Sequence, residues 1–316
     1  MTHANRSFDE THTSWSEIIA FSDILSKTLN KDVRLFDKFD LASQKVEASP
    51  SSIFIFATGS IDEAIKSFVN INSKSKIYVV IQDPNWPIDI KLSRDYTLIT
   101  PFKSLENANI DKVQVSLETT MSNLTIDFDQ IKRHIYLPFG NMLHESSYYQ
   151  DLINQKQDSS GYNVTSDNIY IGSLKADRAS QFKEIAHNTD FIGNFNQDKF
   201  KDVTGIDDVP EERFKGRMPV FSYLFVASKY ETQILMPDYK MIALDVSYIR
   251  QLEVALIGTD IKLIPDENTS LPQAAINTLN FALFKQDDIF TPSVKMALSH
   301  YGLMSDYLED NLKGDV

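Results

Sequence analysis

The sequence predicts an α/β protein built from two facing Rossmann-like domains, with a cleft between them and a C-terminal helix. Three observations predict it. Short, almost continuously apolar segments alternate with amphipathic helical ones, which is how parallel strands covered on both faces read. The alternation lapses in a polar, turn-rich stretch and then restarts. At 316 residues the chain is long enough for two domains that each bury a core.

Taken in order, Ser14-Trp15-Ser16-Glu17 followed by Ile18, Ile19, Phe21, Ile24 and Leu25 is an N-capped amphipathic helix. Val33 to Phe36 is expected as a short strand, and Ser52 to Ala57 as a buried one. Thr58-Gly59-Ser60 turns into a helix over 61–70. Lys76 to Ile81 is the next buried strand, ending at Gln82-Asp83-Pro84; Tyr96 to Thr100 and Ile135 to Pro138 follow. Gln155 to Ser166 is the linker. Beyond it, Asn168 to Ser173 reads as strand and turn, about 177–187 as helix, and Asp190 to Asn194 as strand and turn again. Thr232 to Pro237, a helix around Arg250, and Ile261 to Ile264 continue the pattern. Ser293 to Leu312 carries helical spacings. The expected division is therefore a first domain over 1–154, a linker over 155–166, a second domain over 167–291, and a helix over 292–316 that packs back toward the first. Met1 to Thr13 is polar, so the first domain's opening strand is expected to be absent, shortened or supplied from elsewhere.

Bulk properties narrow the function. No apolar run approaches the ~20 residues of a membrane span, and the first residues lack the apolar core of a signal peptide. Zero cysteines exclude disulfides and thiolate chemistry and agree with a cytoplasmic location. The net charge of −13 argues against a surface coated in phosphate contacts, although Lys74/Lys76, Lys91/Arg94, Lys132/Arg133 and Lys175/Arg178 are local basic clusters. The six histidines show no metal-ligand spacing, and no Gly-x-Ser-x-Gly elbow is present.

Four places can carry chemistry. Asp83 follows an apolar strand, and a carboxylate at a strand's carboxyl end can serve as a general base; capping a turn is the plainer role of an Asp-Pro. Glu17 near a helix start stabilises the helix dipole by default and can also face a cleft as a second acid. Gly172-Ser173-Leu174-Lys175-Ala176-Asp177-Arg178 combines small residues, two cations and a following helix, a fair anion cradle that lacks the glycine spacing of a P-loop. Arg250 and Glu253 share one helical face, where the guanidinium suits a diphosphate and the carboxylate suits ribose hydroxyls. On spacing alone an ordinary surface ion pair accounts for them better.

In order, these pieces resemble the DNA β-glucosyltransferases of T-even-type bacteriophages and the related phage DNA arabinosyltransferases, which have the GT-B glycosyltransferase fold. The resemblance runs from about Ser14 onward. It rests on Ser16-Glu17 at a helix start, Ser75 through Asp83, Ile169 to Lys175 with Arg178 and then Phe191-Ile192-Gly193-Asn194, and Ile249-Arg250-Gln251-Leu252-Glu253. It implies an acceptor-side first domain and a nucleotide-sugar-binding second domain. Asp83 would deprotonate the acceptor hydroxyl, with Glu17 as a secondary carboxylate. Gly172, Ser173, Lys175, Arg178, Gly193 and Arg250 would hold the diphosphate of UDP-glucose or UDP-arabinose, Glu253 the ribose, and Tyr239 would line the same site. The implied acceptor is 5-hydroxymethylcytosine in duplex DNA, extruded from the stack. Family members can use Mg or Mn, but the sequence shows no dedicated metal cage. A monomer in the host-cell cytoplasm, with no membrane partner, completes the expectation. A glycosyltransferase of the same fold acting on a glycan or small molecule, and a catalytically silent nucleotide-binding protein, stay open beside it.

Overall fold

The structure is a computed structural model that describes residues 1–4, 6–8, 13–43, 49–81, 87–102, 105–120, 124–139, 142–147, 164–218, 220–236, 259–264 and 303–316. Two five-stranded sheets, parallel throughout, organise these residues, with helices packed on them.

The first sheet consists of β1 (Thr2–His3), β2 (Ser52–Phe56), β3 (Lys76–Val80), β5 (Tyr96–Thr100) and β7 (Ile131–Tyr136), side by side in that order. A separate two-stranded pair, β4 (Ile88–Ile90) and β6 (Leu124–Ile126), lies apart. Of the alternatives for the opening strand, the structure shows the shortened one: β1 is two residues long. Thr2 and His3 pair in parallel with Ile55 and Phe56. Two polar residues leave no hydrophobic signature, yet both are buried, because the backbone ladder and local hydrogen bonds satisfy them. The expected strand at Val33 to Phe36 shrinks to one parallel bridge, Phe36 to Thr2, on the other flank of β1. Counting that bridge, the chain steps back past β1 before resuming at β2. The carboxyl ends of β1 and β2 therefore flank a topological switch point.

Alternation along the strands explains the two cores. Ile53, Ile55 and Ala57 join Ile77, Val79, Ile81 and Leu98 on one face, against α3 (Glu63–Ile71) and α4 (Ile110–Thr120). Phe54, Phe56, Tyr78, Val80 and Ile99 point to the other, where α1 (Thr13–Leu29) buries Trp15, Ile18, Phe21, Ile24 and Leu25 at helical spacings. Asp62 caps α3 by accepting from the Ala64 N–H at 2.9 Å. A small capping box built by Asp37 and Asp40 starts α2 (Lys38–Ala42).

A helix near the chain's end, α9 (Met304–Leu312), shares this second core through Met304, Leu308 and Leu312. Its N-cap position is Leu303, which has no side-chain acceptor. The carboxylate of Glu145, at the end of α5 (Met142–Glu145), substitutes by accepting from the Met304 and Ser305 N–H groups. Downstream of the helix, Asp315 pairs with Lys76 at 2.9 Å and Arg133 at 3.1 Å. The part of the expected terminal helix before residue 303 lies outside the described residues.

The second sheet is β10 (Phe214–Gly216), β9 (Thr189–Gly193), β8 (Asn168–Gly172), β11 (Thr232–Leu235) and β12 (Asp260–Leu263), in that spatial order. Numbered by the chain from β8, the order is 3-2-1-4-5, the doubly wound Rossmann order over these five strands, with its switch point between β8 and β11. The helices α6 (Ala179–Ile185) and α7 (Gln197–Thr204) bury Phe182, Ile185 and Phe200 against Tyr170, Phe191 and Ile234. The segment joining β10 to β11 carries α8 (Val220–Ala227), which touches α1. At the amino-terminal half of β9, fully buried Asp190 accepts from the Thr165 hydroxyl (2.6 Å) and the Tyr230 hydroxyl (2.7 Å). It also pairs with Lys215 (3.2 Å) and Arg213 (3.4 Å). This knot ties the entry of the second unit, its edge strand and the residues after α8 at the sheet edge opposite the candidate site.

Candidate functional site

Gly172 ends β8 and Gly193 ends β9, and the two are register partners. Each position needs glycine for a separate reason. A Cβ on Gly172 would lie 2.7 Å from the Tyr170 hydroxyl. Gly193 sits at φ +139, and a Cβ there would overlap the Gly172 carbonyl oxygen. The paired strand ends therefore present bare backbone at the carboxyl edge of the sheet, next to the switch point, where open α/β sheets bind ligands.

Ser173 follows, exposed. Lys175 is extended (φ −125, ψ 136) and leads into a 3-10 turn, Ala176–Arg178, that no side chain caps. The Arg178 guanidinium donates to the Tyr170 hydroxyl at 3.3 Å. Gly172, Ser173, Lys175, Arg178 and Gly193 thus meet at one corner. An oxyanion there could receive hydrogen bonds from exposed backbone N–H groups, the Ser173 hydroxyl and both cations. Sequence reasoning missed Tyr170. It alternates with its strand neighbours as a core aromatic does, and only its position two residues before a glycine hinted at another task.

The other half of the expected site is less fully described. Tyr239, Arg250 and Glu253 lie outside the described residues, and so does Asp83. The flanks of Asp83 are described: Ile81 donates its N–H to the Ile99 carbonyl, and Asp89 accepts from the Ile61 N–H. Both flanks are at the carboxyl edge of the first sheet. Glu17 lies in the second turn of α1, half-buried and engaged by neighbours, on the helix that follows β1 at the first switch point. There the fully buried His3 places Nε2 2.8 Å from the Thr58 hydroxyl, joining the loops after β1 and β2. Trp15 is fully buried; its indole N–H donates to the Ser7 carbonyl at 2.8 Å and its ring packs against Phe8. Trp15 therefore serves the core, and Trp86 lies outside the described residues.

The basic clusters are largely occupied internally. Arg94 donates to the carbonyls of Val69, Asn72, Ser73 and Ser75 at 2.7 to 2.9 Å and so closes the end of α3. Lys76 and Arg133 are tied to Asp315, Lys91 pairs with Asp89 at 3.5 Å, and Lys132 with Asp95 at 3.6 Å. Among the described residues no three His, Asp or Glu side chains converge as metal ligands. Among the same residues no helix is long and apolar enough to cross a membrane.

Fold and site together define a mixed α/β protein with parallel, Rossmann-like sheets and a backbone-lined polar corner at one switch point. No known family model matches the sequence, and no curated protein matches it either.

Proposed function

We propose that the chain is a UDP-sugar-dependent glycosyltransferase of the two-domain GT-B type, with the nucleotide sugar held by the second unit and the acceptor by the first. One observation carries the reading. The 3-2-1-4-5 order of the second sheet puts Gly172 and Ser173 at its switch point, with Lys175 and Arg178 alongside. The contact between α1 and α8 supports two neighbouring units.

In this reading Asp83, with Glu17 as a secondary carboxylate, takes the proton of an acceptor hydroxyl as its oxygen attacks the sugar's anomeric carbon. The bond from that carbon to the β-phosphate oxygen breaks, UDP leaves, and the configuration inverts in a single displacement. The negative charge growing on the diphosphate is met by the Ser173 hydroxyl, Lys175, Arg178 and Arg250. Glu253 holds the ribose and Tyr239 borders the site. The acceptor implied by the resemblance is 5-hydroxymethylcytosine in duplex DNA, and the sugar is glucose or arabinose.

A second acceptor reading, a glycan or small molecule, is favoured by a specific observation. Of the expected basic residues on the first unit, Arg94 is held by four carbonyls, and Lys76, Lys91, Lys132 and Arg133 each lie beside a carboxylate in an exposed pair, and the net charge is −13. Incubation with UDP-glucose or UDP-arabinose and duplex DNA, with and without hydroxymethylcytosine, separates the two. The proposal expects sugar mass only on the hydroxymethylated duplex. No transfer from either donor would remove DNA as the acceptor.

A further inference from the structure

We infer that Tyr170 is a positioning residue for Arg178: its buried hydroxyl fixes the guanidinium beside the Gly172-Ser173 turn so that an incoming diphosphate meets an already ordered cation. The inference deepens the proposed donor site and rests on that reading.

Tyr170 is 3% exposed, and its ring is held from several sides. It meets Phe182 edge-on at 5.3 Å and Phe195 edge-on at 5.8 Å, with Phe191 tilted at 6.4 Å. A ring so enclosed keeps its hydroxyl in one place. A phenylalanine would satisfy that packing equally well, so the cluster itself does not call for the hydroxyl. The oxygen emerges where Gly172 lacks a side chain, since any Cβ at 172 would lie 2.7 Å from it. There it accepts from Arg178.

An arginine on a short surface turn otherwise loses rotamer freedom when it is immobilised. Fixing the side chain before the ligand arrives lowers that cost at the moment of binding. The acceptor is a neutral phenol, so this bond orients the cation without cancelling its charge.

The test is calorimetric titration of UDP and of uridine into wild type, Tyr170→Phe, Arg178→Ala and the double variant, with the thermal midpoint of each recorded. Tyr170→Phe is expected to weaken UDP about 3- to 10-fold, the range for one lost hydrogen bond, and to leave uridine affinity and the midpoint unchanged. The double variant is expected to bind UDP as Arg178→Ala alone does. Unchanged UDP affinity in Tyr170→Phe, equal weakening of uridine and UDP, or additive losses in the double variant would each overturn the inference while leaving the donor site standing. A wild-type protein that binds no UDP would remove the donor site itself, and the inference with it.

Discussion

Replacing Gly193 with alanine tests the geometry on which the site depends. Two costs arise there and can be separated. The first is conformational: φ +139 is a region that side chains rarely adopt, and holding a non-glycine residue in such a region costs about 1–3 kcal/mol. The second is steric: the new Cβ would overlap the Gly172 carbonyl oxygen, so the ends of β8 and β9 must separate. Losing one or two ladder hydrogen bonds adds about 0.5–1.5 kcal/mol each. The sum is about 1.5–6 kcal/mol. Gly205 provides the control. It also has positive φ, +77, but a Cβ there would meet nothing within 4 Å, so Gly205→Ala should cost only about 1 kcal/mol, the left-handed penalty without the collision. Urea unfolding followed by circular dichroism measures both variants, and Gly193→Ala should also weaken nucleotide binding. Equal midpoints for the two variants would refute the argument that paired strand ends in close approach require the glycine.

Two further predictions concern stability away from the site. Asp190→Asn should destabilise the second unit by about 3–5 kcal/mol, because it leaves Arg213 and Lys215 partly buried without their shared counter-charge; urea unfolding checks this, and a cost below 1 kcal/mol would contradict it. His134, partly buried and hydrogen-bonded to the Thr100 hydroxyl at 2.9 Å, has its pKa lowered to about 4 by burial. A depressed histidine pKa means that the unfolded chain takes up the proton first as the pH falls. Stability should therefore be intact above about pH 6.5 and fall below it, by about 2 kcal/mol between pH 7 and pH 5. Chemical denaturation across that range should show a shallower pH dependence in His134→Gln than in wild type.

Much of the architecture was legible because it is written in side-chain periodicity. The apolar runs at Ser52 to Ala57, Lys76 to Ile81 and Asn168 to Gly172 are strands buried on both faces, and Trp15 to Leu25 is the amphipathic helix its spacing describes. What escaped was encoded elsewhere. β1 has two polar residues whose burial is made possible by backbone pairing, and no hydrophobic pattern announces that. Asp190 sits in an otherwise apolar strand, and its partners come from positions 165, 213, 215 and 230, too far apart for any local spacing to link them. Arg94 looked like half of a surface basic cluster; its four carbonyl partners depend on the turn that follows α3. At the candidate site, the sequence suggested which small and cationic residues to consider. The strand order that brings Gly172 to a switch point, and the close approach of Gly193, belong to the tertiary structure alone.

The central claim is that a nucleoside diphosphate binds at the carboxyl edge of the second sheet. Amide hydrogen exchange with and without saturating UDP measures this directly. The account predicts slowed exchange over residues 172–178 and at 193–194, with the opposite edge around Asp190 unchanged. Protection confined to that opposite edge or to the first sheet, or none anywhere, would contradict it.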